Sequence, residues 1–160
     1  MKEREKIAEK AVQLFAEGYH CSQAVLCACA ELLRDEPPSP EVVAAMAPFA
    51  GGMGSSGETC GALSGALATI GFTLGKKAPE QDNHKQMCSI SYAMVQKFAH
   101  ITEPYGSIRC SDIAQIDWKD KEAVQNFRTN PDSTRKNCVH VVRETSNTLY
   151  DLITDKLEKS

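Results

Sequence analysis

Seven cysteines, at positions 21, 27, 29, 60, 88, 110 and 138, stand in a chain of 160 residues. A thiolate is a nucleophile, a partner in thiol–disulfide exchange and a ligand for soft metals, so this side chain carries more redox and metal chemistry than any other. An odd number cannot all pair within one chain. The N-terminal stretch MKEREKIAEKAVQLF never becomes the uninterrupted apolar segment of a secretory signal. A cytoplasmic location is therefore expected. In such a reducing compartment structural disulfides are rare, and a cysteine excess points to metal binding or redox work.

Position along the chain separates these cysteines. Cys60 follows the glycine turn GGMGSSG at 51–57 and falls in the first turn of a helix expected from Glu58. Unpaired amides and the positive dipole end there favour thiolate over thiol, which makes Cys60 the candidate nucleophile. Cys21 holds the corresponding place at the start of an earlier helix. Glu58 opposes the effect if it points at the sulfur, and it is also a candidate to orient a thiol or act as a local base. Its simpler role is that of a helix-start carboxylate facing the dipole. Cys138 lies on the apolar stripe of the last helix, where a buried cysteine can serve as a plain packing residue.

The stretches GYHCSQAV at 18–25, GETCGALSGAL at 57–67, SIRC at 107–110 and NCVHVV at 137–142 together resemble the C_GCAxxG_C_C family of redox-active proteins. The family is named for four cysteines around a Cys-Gly-Ala-x-x-Gly core, which here is Cys60-Gly61-Ala62-Leu63-Ser64-Gly65. The similarity runs from about residue 5 to 145. It implies that Cys21, Cys60, Cys110 and Cys138 are the functional set and leaves Cys27, Cys29 and Cys88 outside it. Related domains accompany split-Soret cytochromes, which implies electron-transfer surroundings. Covalent haem is not expected, because the chain has no Cys-x-x-Cys-His.

Four thiolates delivered by separate helical segments could hold an iron–sulfur cluster or a tetrahedral zinc ion. The gaps of 39, 50 and 28 residues match no zinc finger, zinc ribbon or bacterial ferredoxin. The leading expectation is a redox protein in which Cys21, Cys60, Cys110 and Cys138 are metal ligands that pass electrons to a redox partner protein, with Gly57 and Gly61 as cofactor-binding backbone. The alternatives are a metal-free thiol–disulfide oxidoreductase with Cys60 as nucleophile, and a non-enzymatic metal-handling or interaction module. A homodimer is open, since a helix of small residues can mediate self-association as readily as internal packing.

Other signals point elsewhere only in part. Gly52 to Gly57 satisfies the letter of G-x-G-x-x-G, but the pattern before it is helical where a dinucleotide site needs a strand, and Glu58 stands where a phosphate-binding lysine belongs. Those backbone amides could instead face the Cys60 site. His20 adjoins Cys21 and His140 lies two residues beyond Cys138, so either could move a proton or replace a ligand, although both also fit as ordinary, partly exposed side chains. Trp118 reads as a packed anchor in a solvated loop. The net charge of −3, from 18 basic and 21 acidic residues without a long single-sign block, argues against a phosphate-backbone partner.

The elements that must position these residues are helical throughout. Apolar residues recur at three and four, and no two-residue alternation occurs. Ile7, Ala11, Leu14 and Phe15 mark a first helix ending near Gly18; CSQAVLCACAELLRD forms a second, stopped before Pro37 and Pro38. Ser39-Pro40 caps a third through Val43 and Met46. The fourth, Glu58 to about Gly75, carries Gly61, Gly65, Gly71 and Gly75, each costing about 1 kcal/mol against alanine, so a close neighbour must compensate. That helix is placed at the centre. Its apolar run is too short and too rich in small residues to be a membrane span. Pro79 opens a fifth helix carrying Met87, Ile90, Met94, Phe98 and Ile101. A loop with a short helix covers GSIRCSDIAQID, a turn or two follows around Glu122 to Phe127, and Asn130-Pro131 caps a last helix with Cys138, Val142, Leu149, Ile153 and Leu157. The expected fold is all-α, one domain over 1–160, a single compact bundle of about six helices.

Overall fold

Helix boundaries in the computed structural model, which describes residues 2–159, follow the caps and breakers along the chain. Eight α-helices are formed among these residues: α1 (Glu3–Ala16), α2 (Cys21–Arg34), α3 (Pro40–Ala45), α4 (Gly61–Leu74), α5 (Met87–Thr102), α6 (Cys110–Ala114), α7 (Lys121–Thr129) and α8 (Arg135–Glu158). The excess over about six comes from α6 and α7, where the sequence suggests a short helix and a turn or two between the fifth and last helices. The Ser39 hydroxyl accepts from the Val42 amide at the start of α3, as the Ser-Pro pair predicts. One antiparallel bridge, Thr59 to Arg109, is the extent of β pairing among the described residues. None of their helices is long and apolar enough to cross a membrane.

Three starts differ from the sequence expectation. Helix α4 begins at Gly61 with Cys60 as its N-cap, because Glu58 and Thr59 are drawn into the bridge. Helix α5 begins at Met87 rather than at Pro79. Residues 75–86 carry no apolar face to bury, and their polar side chains bind backbone instead: Asn83 Oδ1 accepts from the Lys76 amide at 2.9 Å and Gln81 Oε1 from the Lys77 amide at 2.8 Å. Helix α8 begins at Arg135 rather than after Asn130. Asn130 ends α7 and folds its Oδ1 onto the Asp132 amide at 2.9 Å, a local turn that competes with helix entry.

The core is an apolar cluster in which α2, α4, α5 and α8 meet, with α1 closing it across α2 and α8. Helix α4 touches α2, α5 and α8, which gives the small-residue helix its central place. The compensation for its glycines is close approach to α2. A Cβ on Gly65 would lie 2.4 Å from the Ser22 carbonyl oxygen, and one on Gly61 would lie 2.7 Å from Cys21 Sγ. Gly71 faces open space and has no such neighbour.

Candidate redox site

All four cysteines of the motif sit at helix N-termini. Cys60 is the N-cap of α4, Cys21 and Cys110 are the first residues of α2 and α6, and Cys138 is the fourth residue of α8. Backbone amides reach the Cys21, Cys60 and Cys138 sulfurs, whereas the first amides of α6, at Cys110 and Ser111, are taken by the carbonyls of Glu58 and Gly57. The four line one cavity of about 510 Å³, together with Phe15, Tyr19, Trp118, Phe127, Arg128 and Arg135. The sequence separations vanish in three dimensions.

Local backbone pairing sets this convergence. The Cys60 amide donates to Ile108 O at 3.0 Å, the Cys110 amide to Glu58 O at 2.7 Å and the Ser111 amide to Gly57 O at 3.1 Å, which clamps Cys60 and Cys110 side by side. Asn137 Nδ2 donates to Ile113 O at 3.0 Å, tying the start of α8, and with it Cys138, to α6. Cys21 is held by Ser22, whose hydroxyl donates to Met46 O at 2.7 Å, and by the absence of a side chain at Gly61.

The glycine turn is more unusual than its composition suggests. Residues 51–55 all have positive φ, Met53 (62°) and Ser55 (59°) included, which is a left-handed turn made of consecutive residues. Each non-glycine residue there costs roughly 1–2 kcal/mol. Gly52 could not carry a side chain even if its φ of 72° allowed one, because a Cβ would lie 2.6 Å from Cys110 Cβ and from the Glu58 amide nitrogen. Gly51 and Ser55 line the cavity. The loop follows a short 3-10 turn at Ala47–Phe49, not a strand. Of the two glycines marked in the sequence as cofactor-binding, the Gly57 carbonyl receives the Ser111 amide and Gly61 leaves room for the Cys21 sulfur.

The thiols are not equivalent. The side chain of Cys60 neighbours that of Cys21, and this contact, aided by the amides of Ser22, Cys21 and Gly61, holds Cys21 below the usual thiol range against the cost of burial. Cys60 is pushed well up by the same partner and then by burial. At Cys60 the neighbouring sulfur and burial act against the helix-start effect, whereas at Cys21 the neighbouring sulfur and the local amides act with it. Burial pushes Cys110 up to about 11, partly offset by the indole of Trp118, and raises Cys138 further, with Arg135 opposing.

Neighbouring groups take roles that periodicity does not reveal. Arg135 stacks over the Phe15 ring at 4.3 Å and donates to Phe15 O at 3.1 Å, which fixes its charge on the cavity wall. Glu58 turns outward to Arg109, 3.0 Å away and exposed, so it neither orients a thiol nor acts as its base. His20 lines the cavity mouth and its amide donates to Gln23 Oε1 at 3.2 Å, while His140 packs edge-on against Tyr105 at 6.3 Å. Trp118 is a cavity wall packed edge-on against Phe127 at 5.4 Å. Outside the set, Cys29 is buried and raised to about 12, Cys27 is half-buried and Cys88 is exposed.

No curated protein and no solved structure matches the chain. The family model described as "Putative redox-active protein (C_GCAxxG_C_C)" matches residues 19–152, the span that contains all four cavity cysteines and the Cys60-Gly61-Ala62-Leu63-Ser64-Gly65 core. With its four motif cysteines gathered around one cavity in an all-α bundle, this chain belongs to the C_GCAxxG_C_C family of redox-active proteins.

Proposed function

We propose that the four-cysteine cavity is a redox centre in which Cys21, Cys60, Cys110 and Cys138 hold an iron–sulfur cluster, or another thiophilic metal group, for electron transfer to a partner protein. The observation that carries this reading is the convergence of four sulfurs, from four helix N-termini, on one cavity of about 510 Å³. The donor chemistry fits a cluster, which takes four cysteine thiolates. The side chains do not preform a site for a single ion: among the described residues no group of three or more His, Cys, Asp or Glu is placed to hold one. Tetrahedral zinc needs its sulfurs about 2.3 Å from one point. When bound, a cluster supplies one-electron transfer. The chain's own contribution is electrostatic: helix N-termini and the Arg135 and Arg128 side chains border the cavity, no carboxylate among the described residues lines it, and an anionic centre is favoured there.

The test is iron and acid-labile sulfide analysis with a visible absorption spectrum, on protein purified and reconstituted without oxygen. Iron and sulfide in comparable amounts, lost on Cys60→Ser or Cys138→Ser, is the expected result. Absence of iron, sulfide and zinc after reconstitution refutes the metal reading.

A second reading rests on the contact between the Cys21 and Cys60 side chains, which lowers the Cys21 thiol and raises that of Cys60. In a thiol–disulfide exchange the Cys21 thiolate attacks a disulfide substrate and forms a mixed disulfide, releasing one thiolate. Cys60 then attacks Cys21 and yields a Cys21–Cys60 disulfide. Its proton goes to a departing thiolate, and the substrate gains two electrons. In this account Cys21 is the nucleophile and Cys60 the resolving partner, the reverse of the sequence expectation. A metal-free protein that oxidises reversibly, with a Cys21–Cys60 link seen by peptide mass mapping, supports it.

A further inference from the structure

Trp118 has a buried indole nitrogen with no hydrogen-bond partner at ordinary distance. Such a donor is costly to leave unmade, and native structures rarely keep one without a use. The ring is not free to turn elsewhere, because it packs edge-on against Phe127 and belongs to the small cluster of Cys110, Ala114 and Phe127 that backs the cavity. The Cys110 thiol packs in the same cluster, lines the same cavity and is lowered by this indole against the larger effect of burial, which makes its sulfur the acceptor within reach. A neutral thiol is a weak acceptor, whereas a thiolate or a metal-bound sulfur is a strong one. The donor is therefore poorly satisfied when Cys110 is protonated and well satisfied when its sulfur carries negative charge.

We propose that Trp118 is a positioning residue whose indole N–H is held in reserve for the Cys110 sulfur in its charged, ligating state. Hydrogen bonds to ligating sulfurs tune the affinity and potential of thiolate-bound metal centres, so the contact makes Cys110 a better ligand and sets the potential of the centre. The placement of the indole stands apart from the metal reading of the cavity; its tuning role rests on that reading.

The sequence contains one tryptophan, so the protein gives one indole cross-peak in a proton–nitrogen correlation spectrum. In reduced, metal-free protein this peak exchanges slowly with solvent and changes position on Cys110→Ala. Added Cd²⁺, used as a thiolate-seeking probe, moves it downfield in the parent protein and leaves it in place in Cys110→Ala. Trp118→Phe keeps the ring packing, removes the donor and weakens Cd²⁺ binding about tenfold, the scale of one charge-assisted hydrogen bond. An indole peak unmoved by Cys110→Ala overturns the placement of the donor. Unchanged Cd²⁺ affinity in Trp118→Phe overturns the tuning role. Failure of Cd²⁺ to bind the parent protein overturns the tuning role, while the iron and sulfide analysis decides the metal reading and the Cys110→Ala comparison decides where the indole points.

Discussion

Two glycines of α4, six residues apart, should respond to the same substitution with opposite signs. Gly71→Ala adds a methyl group where nothing lies within 4 Å, so the gain in intrinsic helix propensity, about 1 kcal/mol, is realised as stability. Gly65→Ala receives the same intrinsic gain but places a Cβ 2.4 Å from the Ser22 carbonyl oxygen and 3.1 Å from its carbonyl carbon. The atom struck is helix backbone, not the end of a flexible side chain, so α2 and α4 must separate. Overpacking of this kind costs about 1–3 kcal/mol, and a backbone clash belongs at the upper end, leaving a net loss of about 2 kcal/mol. Ser22 also donates to Met46 O, so a shift of α2 disturbs a second contact. The two variants should differ by about 3 kcal/mol, or roughly 6–12 °C in melting temperature for a domain of this size. Urea titration of reduced protein, followed by far-ultraviolet circular dichroism, measures both. Gly65→Ala at or above the parent in stability, or both variants moving together, would refute the close approach of α2 and α4 that explains the glycines of the motif.

Three further outcomes are expected. Gly52→Ala combines a positive φ of 72° with a 2.6 Å clash against Cys110 Cβ, and should cost more than about 3 kcal/mol in thermal melts while Gly54→Ala, with open space around it, costs about 1–2 kcal/mol from its backbone alone. Removing the S–H donor with Cys60→Ala should move the pH profile of Cys21 alkylation upward, because that bond is the main cause holding Cys21 below the usual thiol range and burial, next in size, opposes it; iodoacetamide rates by mass spectrometry measure the shift, and an unmoved profile would refute the pairing. Native-state alkylation should mark Cys88, which is exposed, long before Cys29, which is fully buried and raised to about 12; modification in the reverse order would contradict the packing of α2 against α8.

Much of the architecture is legible in the chain because helices are specified locally. The stripes Ile7-Ala11-Phe15, Ile90-Met94-Phe98 and Val142-Leu149-Ile153 all point inward, and the Ser39-Pro40 cap stands where the sequence places it. Helix starts at 79 and 130 were misplaced for one reason. A proline permits a helix to begin but does not make it begin, and polar side chains at 81, 83 and 130 satisfy the backbone by other means. The four cysteines could be grouped by motif, yet nothing local distinguishes Cys110 or Cys138 from packed thiols.

The sequence by itself determined the all-α class and the extents of α1 and α2, and grouped four cysteines by motif, since periodicity, caps and motif are properties of neighbouring residues. Only the tertiary structure decided that the four cysteines line one cavity, that Cys21 is lowered and Cys60 raised by their mutual contact, and that Trp118 and Arg135 share the site. Those features arise from contacts between residues far apart in the chain, where burial and a neighbour's charge outweigh the local helix dipole.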